Sequence, residues 1–243
     1  MTYLTTSWDD GDALDARLAD LLARYGVPGT FYVPRNCEGR VLLKRGELRQ
    51  LAQGFELGAH TLNHHRLTTL RDKDAGEEIR GSRVYVEDVT GRECRVFAPP
   101  EGRYKAAHLR MAAGAGFHGF RTTELLDCGP PRWTSGIAVI PTTLQAHLHP
   151  PSGYWRNAAK RMRLGHLITW LRYGRQKSLA SLFRSLLDRA IMRGGVVHLW
   201  GHSWEIEERG AWPLLETLLA EIGERRGALR LVPNSALCTG VTP

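Results

Sequence analysis

The sequence lacks any apolar run near the roughly 20 residues that a membrane-spanning helix needs, so no transmembrane segment is expected. Its opening residues, Met1 to Thr6, show no basic stretch followed by an apolar segment and a cleavage site. These two absences point to the cytoplasm, with a peripheral membrane contact left open. Cysteine is sparse. Cys37, Cys94, Cys128 and Cys238 lie far apart without a CxxC pair, which argues against a disulfide framework or a thiolate metal site and for reduced structural thiols. No internal repeat or low-complexity linker is evident, so residues 1–243 are read as one domain. No nucleic-acid recognition motif is present either, and none of that class of partner is expected.

What the sequence does have is positive charge, a formal +8. Much of it, including Lys160, Arg161, Arg163, Arg172 and Arg175, is interleaved with apolar residues at about 155–193. This segment reads as a basic helical insertion of two amphipathic helices. Its cations either form a solvated helix face or meet an anionic sugar, nucleotide or lipid headgroup. Tyr154, Trp155, Trp170 and Trp204 are candidates for stacking on sugar rings, or else core aromatics.

Short β-like runs alternate with helical ones. Strand candidates are Tyr3 to Trp8, Gly29 to Val33, Phe55 to Ala59, Arg95 to Phe97, Phe117 to Thr122, Gly136 to Ile140, Val196 to His202 and Leu229 to Val232. Helical spacing joins Leu14, Leu18, Leu21, Leu22 and Tyr25, and recurs at Glu47 to Gln53, Ala75 to Val89, Lys105 to Ala113 and Leu214 to Ile222. This order predicts a parallel α/β fold. A distorted single-domain (β/α) barrel of about seven or eight strands is favoured over an open doubly wound sheet. Asp9, Asp10, His60, the Pro99 turn, Arg121 and His202 all fall at or just after the C-terminal ends of predicted strands, and a barrel gathers those ends on one face. An open sheet gathers only those at its switch point.

Asp9-Asp10-Gly11 closes the first strand candidate. Adjacent strand residues point to opposite sides, but a turn at the strand end, eased by Gly11, lets both carboxylates enter one pocket. One can then bind a cation while the other exchanges a proton. The alternative is that Asp10 or Asp12 caps the following helix. His60 and His64 are spaced so that a helical turn would project both from one face, with Cβ atoms roughly 5–6 Å apart. With Asp10 they would make a His2Asp site with open positions for water. A histidine pair alone at this spacing is as compatible with surface or core packing.

Taken together, these segments resemble the polysaccharide deacetylases of carbohydrate esterase family four, which include the nodulation-type chitooligosaccharide deacetylases. Ser7-Trp8-Asp9-Asp10-Gly11 is similar to the family's Thr-Phe-Asp-Asp-Gly motif, and His60-Thr61-Leu62-Asn63-His64 matches its HTxxH motif. Phe97-Ala98-Pro99-Pro100-Glu101-Gly102 resembles its Arg-Pro-Pro-aromatic-Gly turn in part. His198 to Glu205 stands where the family has a late-strand histidine. The resemblance implies Asp9 as general base, Asp10, His60 and His64 as ligands of a divalent metal, with zinc expected, and His202 as general acid. His198 lies deeper and, with Pro100 and Trp204, is assigned to the substrate pocket. The family's arginine that holds the base is Ala98 here, so Arg121 is expected to replace it, ahead of Arg103. The family's aromatic is Glu101, whose backbone N–H is assigned to oxyanion stabilisation.

The implied activity is removal of N-acetyl groups from an amino sugar. The alternatives are an amidase acting on a ureido, imide or peptidoglycan bond, or a non-catalytic carbohydrate-binding protein. With no export signal read, a nucleotide-linked or lipid-linked N-acetylated sugar is expected as partner in preference to extracellular chitin or peptidoglycan.

Overall fold

The computed structural model describes residues 1–150, 152–154, 157 and 178–239. Its centre is β1 (Thr2–Asp9), an almost wholly buried strand. Along one edge β1 pairs in parallel with β9 (Gly195–Gly201) over Thr2 to Trp8. Its other edge is shared. The C-terminal part, Ser7 to Asp9, pairs with β2 (Thr30–Val33), and the N-terminal part, Thr2 to Leu4, pairs with β10 (Leu229–Leu231). From β2 the sheet continues through β3 (Glu56–Ala59), β4 (Val96–Phe97), β5 (Gly119–Arg121) and β7 (Ile137–Ile140) to the antiparallel edge strand β6 (Arg132–Thr134). Beyond β9 lies β8 (Leu144–Gln145).

The result is a mixed α/β fold whose sheet curls into a partial barrel. All eight strand candidates are present, and β6 and β8 are added. No pairing joins β6 to β8 among the described residues. The chain after β5 extends the ladder to β7 by one bond, Thr122 N–H to Ile140 O at 2.9 Å. It then runs along the segment that follows β7, where Leu126 N–H donates to Thr143 O at 2.7 Å, and reaches β9, where Val196 N–H donates to Cys128 O at 2.9 Å.

Helices α1 (Asp15–Arg24), α2 (Arg45–Gly54), α3 (Asp72–Thr90), α4 (Ala106–Gly114), α5 (Leu179–Arg193), α6 (Ser203–Glu208) and α7 (Trp212–Glu224) complete the described structure. None is long and apolar enough to cross a membrane. The basic insertion expected at about 155–193 lies mostly outside the described residues, together with Trp155 and Trp170. Its last part is α5, which buries Leu182, Phe183, Leu186 and Leu187, while its Arg184 pairs with Glu221 of α7.

Strand periodicity sorts side chains between two faces. Leu4, Trp8, Phe31, Val33, Phe97, Phe120, Val139, Val197 and Leu199 form the outer core beneath the helices. Their neighbours Tyr32, Val96, Ala98, Ile140 and Val196 form a smaller inner core with Leu237 and Cys238. The inner face also takes polar residues, which are paired: Tyr32 Oη donates to Asn234 Oδ1 at 2.8 Å, and Asn234 Nδ2 donates to Thr5 Oγ1 at 2.7 Å. Alternation therefore aims Ser7, Asp9, Arg121 and His198 into the barrel, and the strand order brings their C-terminal ends together.

Candidate active site

The two carboxylates leave β1 through an unusual backbone turn. Asp10 has φ 82° and Gly11 φ 65°, both in the left-handed region that costs most residues energy. Asp9 completes the strand pointing inward, while the turn swings Asp10 into the same cavity. Neither serves as a helix cap, and no side chain caps α1; Asp12 Oδ1 accepts from Leu14 N–H at 3.0 Å in the turn that precedes the helix.

His60 follows β3, and its Nδ1 is 2.7 Å from Ala98 O. The carbonyl fixes Nδ1 as the protonated nitrogen and leaves Nε2 as a lone-pair donor. Ala98, where the family resemblance expects an arginine, thus contributes its backbone. The helical turn expected after His60 does not form. Thr61 and His64 take φ 59° and 53°, so the segment folds as an irregular loop. Glu78 of α3 holds that loop. Its Oε2 accepts from Leu62 N–H at 2.9 Å and Asn63 N–H at 2.8 Å, and its Oε1 accepts from Asn63 Nδ2 at 2.6 Å. These bonds hold the loop so that the His60 and His64 rings lie 5.1 Å apart between centroids.

Asp10 Oδ1 faces His64 Nε2 at 3.1 Å and His60 Nε2 at 3.5 Å. The three donor atoms lie within 4.8 Å of one another. One carboxylate and two imidazoles with their Nε2 atoms converging is a donor set suited to a zinc-like divalent ion. Burial opposes the Asp10 charge, but bonds to His60 and His64 outweigh it and hold the carboxyl well below the usual range. His64 is raised to about 10: burial works against the imidazolium, and the bonds to Asp10 and Cys37 prevail.

Asp9 binds Arg121, whose Nη2 donates to Asp9 Oδ1. Both side chains are almost completely buried. The guanidinium is flanked by the rings of Tyr32 at 4.9 Å and Trp200 at 5.2 Å. Arg103 goes elsewhere, to Glu101 Oε2 at 3.3 Å. Glu101 stands in a tight turn with φ 56°, and its carboxylate is also bound by Arg66 at 2.5 Å. Its N–H has no partner among the described residues.

The two late histidines differ sharply. His198 is fully buried, with Nε2 2.8 Å from Ser7 Oγ and Nδ1 2.9 Å from Pro141 O. Burial, aided by the Arg121 charge, pushes it down to about 3. His202 lines the cavity at the head of α6, with Nδ1 3.3 Å from Glu205 Oε2. Burial lowers its affinity for a proton, but the Glu205 bond and the charges of Asp9 and Asp10 outweigh this and raise it. Glu205 also meets His147 Nδ1 at 3.1 Å, Gln145 Nε2 at 2.9 Å and Arg209 Nη2 at 3.0 Å. Burial alone would favour its neutral form; bonds to His147 and His202 keep it ionised.

Asp9, Asp10, His60, His64, Glu101, His202 and Trp204 all line one cavity of about 390 Å3. The sequence pattern marks all of these residues, and Glu205 as well, three residues after His202 at the start of a short helix. Glu78, Gln145 and His147 left no such signal, although Gln145 itself lines the cavity.

Residues 2–120 match the model of the family described as Polysaccharide deacetylase. Over those residues, just under half of its length, the chain belongs to the polysaccharide deacetylase family. The match takes in the Asp9–Gly11, His60–His64 and Pro99–Gly102 segments of this deacetylase-family chain and ends just before Arg121. A chitin deacetylase of Pestalotiopsis sp is 26% identical over 114 residues, 46% of this chain and 38% of that protein. Two Bacillus subtilis relatives are likewise covered over 38% and 33% of their lengths, so the chain spans well under two-thirds of these curated relatives. A Mycobacterium smegmatis structure assigned as a polysaccharide deacetylase aligns over 98% of this chain and 88% of its own, with a TM-score of 0.71 at 16% identity. The chitin deacetylase of Colletotrichum lindemuthianum aligns over 99% and 88%, with a TM-score of 0.63 at 20% identity. At such identities the structures speak to a shared fold.

A pH test bears on how α6 is anchored. Ser203 Oγ donates to buried Asp15 Oδ1 at 2.6 Å, while Asp15 Oδ2 has no hydrogen-bond partner among the described residues. Burial, then the charges of Asp12, Asp10 and Asp9, raise the Asp15 carboxyl well above its usual value against the Ser203 bond. The folded state therefore binds this proton more tightly than the unfolded chain. Its stabilising contribution is complete below the unfolded pKa of about 4 and is lost as pH climbs toward the folded value. Asp15→Asn is expected to match the wild type in thermal melts below pH 4 and to exceed it increasingly toward pH 8. Parallel curves would contradict this.

Proposed function

We propose that this protein is a metal-dependent hydrolase that removes N-acetyl groups from an amino sugar. The observation that carries the reading is one cavity holding Asp9 against Arg121, the Asp10–His60–His64 donor set, and His202 backed by Glu205. Family membership supports it, as does the chitin deacetylase activity named for the Pestalotiopsis relative.

A divalent ion, zinc for preference, bound by Asp10, His60 and His64 would supply a Lewis acid for the acetyl carbonyl and lower the pKa of water toward about 7. Asp9 accepts the proton of the attacking water, and Arg121 fixes the orientation of its carboxylate. The Glu101 N–H donates to the carbonyl oxygen as it gains charge. His202, its Nδ1 held by Glu205, donates from Nε2 to the departing nitrogen. Water and the amide thereby become acetate and a free amine. Pro100 and Trp204 shape the sugar pocket, and His198 supports its floor from within the barrel. The substrate is a nucleotide-linked or lipid-linked N-acetyl sugar in the cytoplasm or at the membrane surface, with the basic 155–193 region meeting its phosphates. Throughout, residues 1–243 act as one domain.

The metal assignment is tested by purifying Asp10→Ala and His64→Ala and measuring bound zinc. Each is expected to lose at least most of it. Undiminished zinc in both would remove the assignment.

A further inference from the structure

Trp204 sits in the first turn of α6, and its indole Nε1–H donates to Asp10 Oδ2 at 2.9 Å. The other carboxylate oxygen, Oδ1, is the one that faces His60 and His64. The two oxygens of Asp10 are therefore committed to opposite sides. The ring is itself immobilised. Arg40 places its guanidinium carbon 3.5 Å from the ring centroid and reaches Glu208 of the same helix at 3.4 Å, and His202 packs 5.1 Å away. A side chain that only stacked on substrate would need neither a bond to a ligand carboxylate nor a cation across its ring.

We propose that Trp204 is a positioning residue for the cation site, holding Asp10 so that Oδ1 alone is presented to the ion. The proposal rests on the reading of Asp10 as a ligand. A free carboxylate can rotate and offer either one oxygen or both. Tying Oδ2 to an N–H donor removes that freedom, keeps the donor set to one oxygen and two nitrogens, and leaves the remaining positions open to water and substrate. Partners that orient ligands in this way typically contribute 10- to 100-fold in metal affinity. Because Trp204 lies two residues beyond His202 on the same turn, one short helix sets both the carboxylate and the proposed proton donor.

The test is zinc titration of metal-stripped protein against a chromophoric chelator. Trp204→Phe keeps the ring between Arg40 and His202 but lacks the N–H, and is expected to bind zinc about 10- to 100-fold more weakly than wild type. Asp10→Asn serves as the reference for loss of the ligand. Trp204→Phe binding within twofold of wild type, with Asp10→Asn impaired, overturns the proposal and spares the site. Wild-type affinity in Asp10→Asn overturns the reading of the site itself. A measurement on unmodified protein guards against misfolding of the variant. Of the seven tryptophan indole N–H signals in a nitrogen-15 spectrum, one is expected to shift on zinc addition while staying protected from solvent exchange. Zinc binding with no indole shift counts against the proposal.

Discussion

Arg121→Met is expected to lower stability by about 3–5 kcal/mol, because it strips a buried carboxylate of the guanidinium that is its ion-pair partner among the described residues. In a domain of this size that is roughly a 6–20 °C fall in melting temperature. The guanidinium is enclosed by Tyr32 and Trp200, so neither solvent nor a rearranged side chain can readily replace it. The double variant Arg121→Met with Asp9→Asn should recover most of the loss, since it no longer buries an unpaired charge, and the cycle isolates the pair. Activity should fall as well, by about 10- to 100-fold, through lost orientation of Asp9. Arg121→Lys keeps the charge without the fork and should lie between. A melting temperature within 2 °C of wild type for Arg121→Met would show that this pair does not hold the site.

His202→Ala is expected to reduce kcat by about 10²–10⁴-fold with little change in KM, the range for loss of a general acid. His198→Ala should behave differently. Both ring nitrogens of His198 are already engaged, by Ser7 and Pro141, and its fully buried ring has no route to a leaving group. Its removal strands Ser7 Oγ and the Pro141 carbonyl, costing about 1–3 kcal/mol of stability, with the smaller loss of kcat. A larger kcat defect in His198→Ala than in His202→Ala would exchange the two roles.

Much of this was legible along the chain, for identifiable reasons. Most of the eight anticipated strands announce themselves through apolar runs and flanking Gly or Pro, and even the two-residue β4 is marked by the Pro99-Pro100 turn that follows it. β6 and β8 do not: Arg132–Thr134 is a partly exposed edge, and Leu144–Gln145 is too short to show a period. Alternation also explains why Arg121 could be anticipated beside Asp9, since Phe120 belongs to the outer core and its neighbour must face in. The HTLNH spacing revealed the histidine pair but not its backbone. A helical turn would also put both rings on one face, but Glu78, from a helix later in sequence, holds the segment as an irregular loop through three hydrogen bonds. The same reason hid the Ala98 carbonyl behind His60 and the Gln145–His147 support of Glu205. A residue that works through its backbone, or through a partner on another element, leaves no pattern in its own neighbourhood.

The most direct test is acetate release by zinc-loaded wild type and by Asp10→Asn, assayed on a panel of free, lipid-linked and nucleotide-linked N-acetyl amino sugars. Acetate and free amine are expected in equal amounts from at least one member with wild type, and none with the variant. No acetate from any member with zinc-loaded wild type, or equal release by Asp10→Asn, would contradict this.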